Sequence, residues 1–83
     1  MRQQELISWA VKGIDAEIDR LEKDVNKGVQ YLLQFEQGKA PNIPKSEHEV
    51  KEIIRKKRTE IETLAKMKFD LKWHLSELEE NEQ

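Results

Sequence analysis

The chain has no cysteine, and that absence removes disulfides, thiolate metal sites and cysteine nucleophiles together. Proline is almost missing too: its only two occurrences, Pro41 and Pro44, fall in one short stretch, so any break in a helical chain is expected there. Aromatic residues make up only 6% of the chain. Neither charge sign dominates. Against 15 Lys and Arg stand 17 Asp and Glu, and a net charge of −2 gives no general attraction to nucleic acid or to an anionic membrane. Long apolar runs are absent as well. The stretch between Glu5 and Lys12 is too short for a secretory signal, and nothing approaches the roughly 20 apolar residues of a membrane span. These absences lead to the expectation of a soluble, cytoplasmic protein.

What is present is charge and periodicity. Charged residues account for 39% and apolar ones for 36%, a balance suited to long solvated helices with one apolar stripe each. One stripe runs Ile7, Val11, Ile14, Ile18, Leu21, Val25, Gly28, Leu32, Phe35. The other runs Val50, Ile54, Lys57, Ile61, Leu64, Lys68, Leu71, Leu75, Leu78. Spacings that alternate three and four mark a coiled-coil seam, which is stable only when another helix covers it. Association is therefore favoured over a catalytic pocket. With 83 residues the chain has room for one domain, and a chain this short buries a small share of its surface.

The first helix is expected from about residue 4 to 37, with Gly38 placed for a left-handed stop. Pro41 and Pro44 keep residues 38–46 non-helical, because proline lacks an amide donor and pushes its predecessor into extended backbone. Ser46 and Glu49 form an S-x-x-E capping box that opens a second helix, expected over 47–79. The acidic end, with Glu79, Glu80 and Glu82, opposes the negative pole of the helix dipole, so residues 80–83 are expected to fray. Gly28 lies on the first stripe and Gly13 outside it.

A short turn between helices of similar length predicts an all-α, antiparallel, coiled-coil-like two-helix hairpin spanning residues 1–83. The expected layers pair Val11 with Leu71, Ile18 with Leu64, Leu21 with Ile61, Gly28 with Ile54 and Leu32 with Val50. Lys57 and Lys68 then face Val25 and Ile14. Their stems are expected to pack while the amines reach water, or to fix the register as polar residues at seam positions can. On one flank Glu22 comes near Arg58 and Ser8 near Lys72; the other, more apolar, brings Tyr31 by Ile53 and Glu17 by Met67. Because a lone hairpin covers little of its own surface, dimerisation into a four-helix bundle is expected.

Motifs for chemistry are wanting. Asp70, His74 and Glu77 share a helix face, but neither the E-x-x-H of di-iron bundles nor H-E-x-x-H occurs, and His48 reads as an exposed first-turn residue. There is no Gly-rich phosphate loop and no G-x-S-x-G. The turn carries no W-x-G and the second helix no S-Q-E-L-D, motifs that mark two families of small helical hairpins. No enzyme, metal or cofactor is expected. Leu6, Trp9, Tyr31, Ile53, Met67, Phe69 and Trp73 lie off the seam and are the expected interface residues for a second copy or for another protein. The expected function is a non-enzymatic protein–protein interaction module (an adaptor, assembly factor or inhibitor) working by helix-face recognition. The alternative is a nucleic-acid-associated regulator contacting phosphates through Arg55, Lys56 and Arg58. Against it, a helix turns successive residues by about 100°, which fans a basic run around the axis.

Overall fold

A computed structural model describes residues 2–81, and in it the expected all-α hairpin is present: α1 (Gln3–Glu36) and α2 (Glu47–Asn81) run antiparallel along each other. The rod measures 61 × 17 × 15 Å. Its radius of gyration of 18.2 Å exceeds the about 12 Å of a compact domain of this length.

α1 stops where glycine permits. Gly38 adopts a φ of +75°. Its N–H donates to the Phe35 carbonyl at 3.0 Å and the Lys39 N–H to the Gln34 carbonyl at 2.9 Å, which is the Schellman pattern. The chain then crosses residues 37–46, where the Ile43 N–H donates to the Pro41 carbonyl at 2.8 Å, a three-residue turn. At the start of α2 the Glu49 N–H donates to Ser46 Oγ at 3.2 Å, the first half of the capping box. α2 continues through Glu80 to Asn81, two residues beyond the expected end, because each further i→i−4 bond outweighs the weak repulsion between exposed carboxylates and the helix dipole. Glu82 and Gln83, the rest of the expected frayed tail, lie outside the described residues.

Every residue of the two stripes is buried or half-buried. Ile7, Val11, Leu21 and Val25 of α1 and Val50 and Ile54 of α2 are buried, Leu21 almost completely. In heptad terms Ile7, Ile14, Leu21, Gly28 and Phe35 occupy d, and each faces an a position of α2. The expected register is confirmed at Gly28: a Cβ there would lie 2.8 Å from Ile54 Cγ1 and 2.9 Å from Cδ1. The missing side chain is the space that Ile54 fills. Gly13 points out of the seam, with nothing within 4 Å.

The two seam lysines do not simply extend into water. Lys57 Nζ lies 3.0 Å from Asp24 Oδ2, and Lys68 Nζ is paired with Asp15, while both stems stay largely covered. Asp24 precedes Val25 and Asp15 follows Ile14, so the two bridges cross on opposite flanks of the seam. A slip of one layer breaks both. Glu22 and Arg58, which the register sets on one flank, form no ion pair among the described residues.

Candidate interaction surface

The seven residues expected to form an interface divide into two groups. Trp9 and Trp73 occupy f positions, the point of each helix farthest from the seam, and Phe69 sits one turn before Trp73 at b. They are 60%, 62% and 69% exposed respectively. They share the open end of the hairpin, but Trp9 leaves from the outer side of α1, while Phe69 and Trp73, neighbours one turn apart, leave together from the outer side of α2, so the three make no single surface. Trp73 Nε1 donates to Glu77 Oε1 at 3.0 Å beside a shallow notch completed by Ser76 and Glu80.

Leu6, Tyr31, Ile53 and Met67 all lie on one broad side of the hairpin, at g and c positions. At the turn end of this side is an open groove of about 280 Å³. Tyr31, Ile43, Pro44, Val50 and Ile53 supply its apolar lining, and Asp24, Lys27 and Lys45 add charges. The turn makes the groove: it sets Ile43 and Pro44 beside the two helices as a third wall, with Gly28 also in the lining. Sequence reasoning missed Ile43, Pro44, Lys27 and Lys45. The one available signal was a lone isoleucine between two prolines, in a linker otherwise polar or small.

The charges on this side are locally paired. Arg20 is hydrogen-bonded to Glu17 and lies 3.7 Å from Asp24. The hydrogen bond from Lys57, reinforced by the charges of Lys57 and Arg20, holds the Asp24 carboxyl below its ordinary range despite some desolvation. The bond from Arg20 does the same for Glu17. Such groups can orient an apolar partner. None is aimed into an enclosed cavity where it would polarise a bond.

The basic run does not converge. Arg55 is held by Glu52 at 2.9 Å and Lys57 lies in the seam on Asp24, while Lys56 and Arg58 leave on different sides of α2. His74 Nε2 faces Gln3 Nε2 at 3.5 Å across the open end, and among the described residues no three potential metal ligands gather. No described helix is long and apolar enough to cross a membrane. Set against family models, curated proteins and solved structures, the chain matches none.

Proposed function

We propose that this chain is a non-enzymatic protein–protein interaction module that self-associates into a four-helix bundle and offers its remaining helix faces to another protein. One observation carries the reading. The chain exposes 6519 Å², against about 5200 Å² for a compact monomer of 9.9 kDa. The excess is larger than the roughly 800 Å² that each partner loses in a standard interface. It is also apolar in part: Leu6, Trp9, Leu33, Met67, Phe69 and Trp73 remain 44–69% exposed although the seam is already used. Covering such area is the main source of association free energy.

Sedimentation equilibrium over a range of concentrations tests this. The expected result is a two-chain mass that falls towards one chain on dilution, with a melting temperature that rises with concentration. A single chain at every concentration, melting at a constant temperature, would overturn it. Tight binding to duplex DNA that collapses with added salt would replace it with the nucleic-acid reading.

A further inference from the structure

We infer that the second copy lies on the groove-bearing side with its turn at the opposite end, α1 against α1 and α2 against α2, so that Leu6 of each copy seats beside Tyr31 in the groove of the other. This rests on the self-association proposed above and adds the face, the direction and the register.

The face follows from the groove. The side that holds it presents Leu6, Ala10, Tyr31, Ile53 and Met67 with the mixed charges Glu17, Arg20, Asp24 and Lys27; the other side has no groove and sets Leu33 and Phe69 among Asp15, Glu22, Lys51, Arg58 and Lys72. Leu6 is 53% exposed, a leucine that its own chain covers only in part.

The direction follows from charge. If both turns sat at the same end, α1 would lie over α2 of the second copy, setting Asp24 against Glu60 and Lys27 against Lys56. Like charges brought together oppose that arrangement. With the turns at opposite ends, α1 meets α1 antiparallel and the pairs become Leu6 with Tyr31, Ala10 with Lys27, Gly13 with Asp24 and Glu17 with Arg20. Small residues face long ones, and Gly13, which has open space around it, accommodates a carboxylate side chain. At the two-fold axis Glu17 and Arg20 of the two copies alternate in a square of four charges.

The register follows from the same charges. A slide of half a heptad one way sets Glu17 on Glu17. The other way sets Arg20 on Arg20 and Glu17 on Asp24. Only the intermediate register crosses signs. On α2 it places Lys56 by Asp70 and Ile53 by His74. The one like pair there, Glu49 with Glu77, falls at the ends of the rods in solvent, where Glu77 already accepts the Trp73 indole N–H. Trp9, Phe69 and Trp73 stay on the outer edges of this dimer.

Because the chain lacks cysteine, engineered thiols report alone. Full-length Leu6→Cys mixed with full-length Tyr31→Cys and mildly oxidised should give a covalent heterodimer. Along one helix these two positions are roughly 37 Å apart, far beyond disulfide reach, so the bond must join two chains. Neither variant alone should cross-link. A heterodimer from Tyr31→Cys with Ile53→Cys, or from Trp9→Cys with Trp73→Cys, would overturn the inference in favour of turns at the same end or of an outer-side contact. As a check independent of thiols, Glu17→Lys should raise the dissociation constant about tenfold, and adding Arg20→Glu should restore it. A sedimenting dimer with no Leu6–Tyr31 cross-link sinks this arrangement alone. A chain that never dimerises sinks the proposed function with it.

Discussion

The turn half and the open half of this hairpin share one seam spacing and differ in what it becomes. Near the turn Val25, Val50 and Ile54 are buried, with Val29, Tyr31, Leu32, Phe35, Ile43 and Ile61 packed on them. At the open end Ile7 and Val11 are buried on α1, but Leu71, Leu75 and Leu78 stay half-covered and the two tryptophans point outward. Equal periodicity does not give equal burial. Two helices cover each other on one stripe only, and a third wall is needed to close the sides; the Ile43–Pro44 turn supplies it at one end, and no described residue supplies it at the other.

The largest effect that tests this contrast is in the seam. Ile54→Ala should lose about 3 kcal/mol, and Leu75→Ala about half as much, read as midpoints of urea unfolding. Equal losses would mean that the turn adds no cover. The glycines should respond with opposite signs. Gly13→Ala, with open space around its Cβ, should gain about 0.5–1 kcal/mol from helix propensity. Gly28→Ala meets Ile54 and should lose about 1 kcal/mol, because overpacking outweighs that gain. Most of the loss should vanish in an Ile54→Ala background, where both Cγ1 and Cδ1 are gone. Ser46→Ala should lose about 1 kcal/mol by freeing the Glu49 N–H at the start of α2, detectable as reduced helicity in far-UV circular dichroism on heating.

The smallest effect is in pH. Asp24 has its folded carboxyl pKa lowered first by the Lys57 hydrogen bond, and Glu17 by the Arg20 bond. A depressed folded pKa adds stability that is present above the unfolded carboxylate value, about 4, and disappears as pH falls through the folded one. Melting temperature should therefore be flat near neutrality and drop below about pH 4. Asp24→Asn should shallow that drop. Both groups are solvent-exposed, so added salt should shrink the effect.

Much of this was legible in the residues. The alternation of three and four placed every seam residue correctly, and Gly28 opposite Ile54 was readable from size alone. Gly38 and Ser46 marked helix ends because their chemistry is local. What could not be read was lateral. Asp24 and Asp15 were two acids among many, and only the crossing of the helices shows which carboxylates meet Lys57 and Lys68. Trp9, Phe69 and Trp73 share an axial level, which suggested a common region; their positions on the two helices send Trp9 to the outer side of α1 and the neighbouring Phe69 and Trp73 to that of α2. The groove was invisible because it needs Ile43, distant in sequence from Tyr31, to be folded back beside it.

The residue order alone decided that there are two helices, where they stop and which stripe of each is apolar, since capping, proline geometry and periodicity act within a few residues of chain. Only tertiary structure decided how well each half of the seam is covered, which acids tie down the seam lysines and which side carries the groove. Those depend on distances between segments far apart in sequence, and such distances exist only once the helices have met.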